Sequence, residues 1–224
     1  MSLPPSTSLA LVRTLELKDP STAAHTWRVV LYTRTLAESF HADQELIARL
    51  SVAAALHDVG KIDIPDAILM KPGKLTDAEF EVIKAHPTLG HERLLRMGED
   101  DPLVLELVRH HHERLDGLGY PDGLTTEKIP LAAMYFSVVD TFDALTSVRP
   151  YRQEIGHDAG VKAIDELLRS AGTRYAKESV EAFKKLFDAG DLDWIMEHFN
   201  DRCELPPLTD PAAIVGAGKR RSRL

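Results

Sequence analysis

The chain has 224 residues, 44% hydrophobic and 28% charged, enough for one globular domain with a sizeable core, and no shift in composition suggests a second. Its formal net charge is -8, and Lys219, Arg220, Arg221 and Arg223 crowd the C-terminus, so the body ahead of them is more acidic still; no nucleic acid is expected as a partner. Cys203 is the only cysteine, which excludes an intrachain disulfide and a thiolate zinc cage, and no apolar run approaches the roughly 20 residues of a membrane span; with no leader-like N-terminus, a cytoplasmic protein is expected.

Taken in chain order, the sequence predicts helices almost throughout. Residues 1–8 read as an N-terminal tail. Asp19 with Pro20 forms a helix start, followed by His25, Val29, Tyr32 and Leu36 at helical spacing. Asp43 caps the next helix, whose stripe Leu46, Leu50, Ala53 and Ala54 runs into His57, with Gly60 as a stop. Thr76 and Glu79 make a capping box for a helix that ends near His86, and a further helix starts at Pro87 and fades near Gly98. Asp101 and Pro102 open the segment carrying Leu103, Leu107 and His111. Gly117, Gly119, Pro121 and Gly123 demand a loop. The most apolar helix covers 130–145, and helices over 158–170 and 178–199 close an all-α domain spanning 9–200. Residues 201–224 form a polar, basic tail.

The chemistry lies in His25, His57, Asp58, His86, His111, His112 and Asp140, polar residues placed on or beside apolar stripes. A lone histidine there is ordinarily a hydrogen-bonded core residue. Asp58 and Asp140 change that reading, because a carboxylate in an apolar setting is costly unless a cation or strong donors meet it. His111 and His112 would point about 100° apart on a straight helix, so they could share one ion only at a frayed helix end, or else serve two. Nitrogen and oxygen donors without sulfur favour iron or manganese, with zinc and nickel as alternatives. Asp58 has two oxygens and can bridge ions about 3.5–4 Å apart, as in two-metal hydrolases, where a bridging hydroxide is aligned for in-line attack on phosphorus. Glu113 and Asp116 are read as acceptors that orient ligating histidines, and His41, His91, His110, His157 and His198 as surface or core residues.

The motifs are more specific together than singly. His57-Asp58-Val59-Gly60-Lys61, then Ile64-Pro65, Lys71-Pro72-Gly73-Lys74-Leu75, His86-Pro87, His111-His112-Glu113 and Gly119-Tyr120-Pro121 follow in order, with Asp140 to Ser147 and Arg149-Pro150-Tyr151-Arg152 beyond. In this the chain resembles the HD-GYP subgroup of the HD metal-dependent phosphohydrolases. The resemblance implies an HD-domain helical bundle with accessory C-terminal helices, two divalent metal ions, and hydrolysis of cyclic di-GMP to linear pGpG or GMP. It assigns one ion to His25, His57, Asp58 and Asp140 and the other to Asp58, His86, His111 and His112. Lys61 would face the scissile phosphate, Arg149 and Arg152 would contact substrate phosphate, and Tyr120 would lie near the substrate. The Gly-Tyr-Pro loop could also dock diguanylate cyclase (GGDEF) domains. Ser21 stands where three-metal relatives carry a glutamate, with Asp143 the nearest spare carboxylate, so two ions are expected. Two other readings compete: a one-metal HD-type nucleotidase or phosphatase, and a low-activity module that senses cyclic dinucleotide or docks a cyclase.

Overall fold

The computed structural model describes residues 2–19, 22–147 and 157–199; Ser21, Arg149, Arg152 and the whole of 201–224 lie outside them. Helix α1, Pro5–Lys18, precedes the first helix start read from the sequence, and it has proline in its first turn, where the missing N–H costs nothing. Leu3 is buried as well, and its N–H donates to Glu99 Oε2 at 3.1 Å. Within residues 1–8, Leu3 and Ser8 are the buried positions among those described.

Helix α2, Thr22–Ser39, is the central element. It buries Val29, Val30, Leu31, Tyr32 and Leu36 together with Arg28, Thr33 and Arg34, so it is enclosed on nearly every side. Tyr32 meets Phe142 and Phe183 edge-on, with ring centroids 5.5 and 6.0 Å away. Such T-shaped contacts are favourable because the positive ring edge faces the negative ring face. Helix α3, Gln44–Leu56, starts as its sequence predicts: the Asp43 carboxylate accepts the Leu46 N–H at 2.8 Å. Its small, fully buried residues Ala53, Ala54 and Ala55 face a crowded interior, where α3 packs on α2 and on α7, Pro102–His110.

Between α3 and α7 the chain makes a 3-10 turn over Val59–Asp63 and then α4, Asp66–Leu69. Helix α5, Asp77–Ile83, carries the complete capping box of Thr76 and Glu79. Helix α6, His86–Arg96, follows after Lys84 and Ala85. Gly60 is not the helix stop that its position suggested. It lies inside the 3-10 turn, and a Cβ there would fall within the van der Waals envelope of the His86 carbonyl and the Gly90 nitrogen. The missing side chain lets the turn after Asp58 press directly on the first turn of α6.

Helix α8, Leu131–Thr146, is the expected apolar helix, and α9, His157–Ser170, α10, Lys177–Asp188, and α11, Asp193–His198, pack against it and α2 as accessory C-terminal helices. The single helix expected over 178–199 is broken at Gly190, whose φ of 76° only glycine adopts cheaply. The described residues contain no strand, only two isolated bridges, so the all-α class holds. No helix among them is long and apolar enough to cross a membrane.

Because neither backbone at the Gly60 contact can yield cheaply, Gly60→Ala should destabilise the fold by about 3 kcal/mol. It should also displace His86 and reduce bound metal. Thermal melting and elemental analysis of the variant check both; an unchanged melting temperature contradicts the packing argument.

Candidate metal centre

Three of the histidines are oriented by one device. His57 Nδ1 lies 2.8 Å from the Ala54 carbonyl, His86 Nδ1 2.8 Å from the Ile83 carbonyl, and His111 Nδ1 2.9 Å from the Val108 carbonyl. A carbonyl can only accept, so each Nδ1 must carry a proton, and in the neutral imidazole that a metal requires each Nε2 is left with a lone pair. The spacing of three residues arises because each histidine sits at a helix end or in the turn beside one, where its ring can reach a carbonyl left without a helical partner. His57 and His111 are the C-caps of α3 and α7, and His86 opens α6 directly after a turn.

His25 reaches the same state by another route. Its Nδ1 donates to Asp143 Oδ2 at 2.8 Å, which turns its Nε2 toward His57 Nε2, 3.1 Å away. His86 Nε2 and His111 Nε2 likewise stand 3.2 Å apart. In the neutral Nδ1–H form of all four rings these are lone pairs facing lone pairs, an arrangement that repels unless a cation lies among them; without one, Asp58 draws the proton onto His57, whose pKa it raises against the effect of burial. The donor set thus fits divalent metal.

The donors fall into two groups, His25, His57 and Asp58, and His86, His111 and His112, each with its ligand atoms within 4.8 Å of one another. Asp58 joins them: Oδ2 is 3.3 Å from His57 Nε2 and 3.8 Å from His25 Nε2, while Oδ1 is 3.2 Å from His86 Nε2. Asp140 adds Oδ1 at 3.6 Å from His25 Nε2. His111 and His112 converge because α7 ends at His110, so the pair sits in the unwinding turn and not on a straight helix. Phe136 walls the centre from behind, its ring centroid 5.0 Å from that of His57.

Electrostatics suit ligation. Burial would raise the Asp58 carboxyl, but His57, Lys61 and hydrogen bonds hold it well below its usual range. Burial and the neighbouring imidazoles push His111 well down, and His112, chiefly through burial, is lowered to about 3. Both are neutral and ready to ligate at ordinary pH. The Tyr120 phenol is raised by burial and by Asp140 and Asp58, so it stays protonated. Its ring lies 4.7 Å from that of His112, and its N–H donates to the His112 carbonyl at 3.2 Å. Lys61 Nζ is 2.6 Å from Asp58 Oδ2. Burial works against its charge, yet Asp58 raises its pKa, so it is a cation held against the centre.

The structure thus brings together His25, His57, Asp58, Lys61, His86, His111, His112, Tyr120 and Asp140. Arg149 and Arg152 fall outside the described residues. Two sequence readings need correction. Asp143 is not spare: fully buried, it accepts Arg28 Nε at 2.5 Å and Nη2 at 3.1 Å, the His25 ring and the Ser147 hydroxyl at 3.0 Å. It positions His25 and is saturated. Glu113 and Asp116 touch no ligating histidine. Glu113 accepts the N–H groups of Asp122 at 2.7 Å and Leu124 at 2.9 Å, and Asp116 pairs with Arg114, so both shape the Gly-Tyr-Pro loop. His110, Glu113 and Asp122 also cluster, but Arg109 chelates Asp122 at 2.7 and 2.8 Å. Arg28 and the orienting role of Asp143 were missed; the signal available was their spacing, each three residues beyond a candidate ligand on its helix, His25 and Asp140.

A family model for the HD domain matches residues 10–178. A cyclic di-GMP phosphodiesterase of Thermotoga maritima is 41% identical over 174 residues, 76% of this chain and 46% of the relative. The cyclic di-GMP phosphodiesterase response regulator RpfG of Xanthomonas campestris is 44% identical over 152 residues, 67% of this chain and 40% of that protein. The chain therefore spans less than half the length of these curated relatives. Among solved structures, the cyclic GMP-AMP specific phosphodiesterase V-cGAP3 of Vibrio cholerae superposes with a TM-score of 0.61 over 85% of this chain and 50% of that one, at 13% identity, a likeness of fold.

Asp143→Asn should break the buried Arg28–Asp143 ion pair, costing about 3–5 kcal/mol, and should free the His25 ring. Metal affinity on the His25 side is expected to fall about 10–100-fold. Elemental analysis after dialysis and a thermal melt read the two effects; full metal content would remove Asp143 from its orienting role.

Proposed function

This chain belongs to the HD domain family, and from that premise we propose that it hydrolyses cyclic di-GMP, giving linear pGpG or GMP. The observation that carries the reading is Asp58, which sets one carboxylate oxygen against each of two imidazole groups. The relatives named as cyclic di-GMP phosphodiesterases support the substrate.

His25, His57, Asp58 and Asp140 would hold one divalent ion, and Asp58, His86, His111 and His112 the other, with iron or manganese favoured by nitrogen and oxygen donors. When bound, the ions would supply Lewis acidity and lower the pKa of water. The chain's own residues do the rest. The carbonyl-locked imidazoles keep their lone pairs aimed inward without a reorganisation cost. Lys61, charged and next to Asp58, would neutralise charge growing on the phosphate oxygens. The protonated Tyr120 phenol would donate a hydrogen bond to substrate from the loop. Arg149 and Arg152 would add positive charge for phosphate, and the same loop would be the face offered to a cyclase domain. The cytoplasm, where a nucleotide messenger is available, is the compartment this reading requires.

Asp58→Asn is expected to lose both ions and to lower cyclic di-GMP turnover at least about a hundredfold while helicity persists, because an amide cannot offer two anionic oxygens. Elemental analysis paired with a chromatographic assay of cyclic di-GMP, pGpG and GMP checks this; full loading with a normal rate refutes it. Lys61→Ala should instead keep two ions and lose rate by about 10²-fold. Metal loss in that variant would make Lys61 part of the scaffold of the centre.

A further inference from the structure

We propose that Arg174 binds the second phosphodiester of the cyclic dinucleotide, the one not lying at the metal centre; this rests on the substrate reading above. A cavity of about 590 Å³ is lined by His112 and Asp140 of the centre together with Lys162, Arg169 and Arg174. That volume is within the range of small-molecule sites. A cyclic dinucleotide carries two phosphodiesters, each a monoanion, on one closed ring. When one lies among the metal ligands, the other must sit elsewhere in the same cavity, and a chain of net charge -8 offers few places that would welcome it.

The three cations are not equivalent. Arg169 is drawn to Glu166, 2.8 Å away. Arg174 is exposed and has no carboxylate partner among the described residues; its guanidinium carbon lies 5.4 Å from the Tyr175 ring centroid. Tyr175 is buried, and its hydroxyl shares a 2.9 Å hydrogen bond with Thr141 Oγ1, on the residue after Asp140. The turn beneath is closed by Gly172 N–H to the Tyr175 carbonyl at 2.7 Å and Arg174 N–H to the Ser170 carbonyl at 2.9 Å. On its other side the Arg174 carbonyl accepts the Leu115 N–H at 3.3 Å, at the start of the loop bearing Tyr120. Arg174 is thereby tied both to the helix that carries Asp140 and to the Gly-Tyr-Pro loop. The backbone that carries the guanidinium is thus fixed beside the centre, and the planar fork matches a phosphate with two donors.

The test uses metal-loaded full chain, wild type against Arg174→Ala and Arg174→Lys. With cyclic di-GMP, Arg174→Ala should raise KM about tenfold with kcat little changed, and Arg174→Lys should recover much of the loss, since a point charge still attracts phosphate. The ratio of kcat/KM for cyclic di-GMP to that for bis(p-nitrophenyl) phosphate, which has a single phosphodiester, should fall by a similar factor. Calorimetric binding of a phosphorothioate cyclic di-GMP should weaken in step. Unchanged KM and binding would overturn the assignment, as would equal losses on both substrates. A loss confined to guanine-bearing rings, with cyclic di-AMP binding unaffected, would overturn it in favour of a base contact. If wild type cleaves the small diester but not cyclic di-GMP, the substrate reading fails, and the calorimetry alone still decides whether Arg174 contacts the ring.

Discussion

Everything at the centre depends on a hydrogen bond from an imidazole Nδ1–H to a carbonyl three residues back. His57, His86 and His111 each make it, and the consequence is electronic as well as geometric. The outer nitrogen carries a proton, so in the neutral rings the inner nitrogens offer lone pairs, and they meet one another at little more than 3 Å. A buried cluster built this way is poor as a structural core and good as a cation site. Asp58 and Asp140 complete it with the negative charge that an apolar interior otherwise resists.

The scaffold has to bring four helix ends to one place and hold them there. The 3-10 turn after Asp58 lies on the first turn of α6 because Gly60 has no side chain, which sets His86 opposite Asp58. The unwinding of α7 at His110 lets two consecutive residues face one group of donors. Arg28 and Asp143 join α2 to α8 through a buried bidentate pair, and that pair also orients His25. Stability and function share these contacts. An isolated buried ion pair is weak evidence of stabilisation, but here its second carboxylate oxygen also receives the His25 ring, which gives the pair a positioning role.

The centre and the loop beside it are linked by backbone contacts. Glu113 follows directly on the two histidines and accepts two N–H groups from the far side of the Gly-Tyr-Pro loop. Tyr120 returns to lie against His112. A shift of the loop is thus felt at a candidate ligand, His112, and a change there is felt at the loop. The same loop is bonded to the turn that carries Arg174, so the cavity beside the centre is bounded by elements fastened to it.

Much of this was legible in the sequence. Helix starts at Asp43, Thr76 and Asp101 follow from local hydrogen bonding that needs no tertiary partner, and the helical periodicity is local too. The donor residues were legible as well, because buried carboxylates and paired histidines demand an explanation wherever the chain runs. Other features came only from packing. The burial of Leu3 beside Glu99 joins residues 96 positions apart. The break at Gly190 depends on where α10 and α11 must sit against their neighbours. The roles of Asp143 and Glu113 turned on which donors arrived from distant segments, since a carboxylate accepts whatever N–H is brought to it. Residue types and local spacing determined what chemistry this chain can perform and that it is helical. The tertiary structure alone decided which nitrogens face inward and which carboxylates lie among them or hold the frame, because those depend on contacts between residues far apart in the chain.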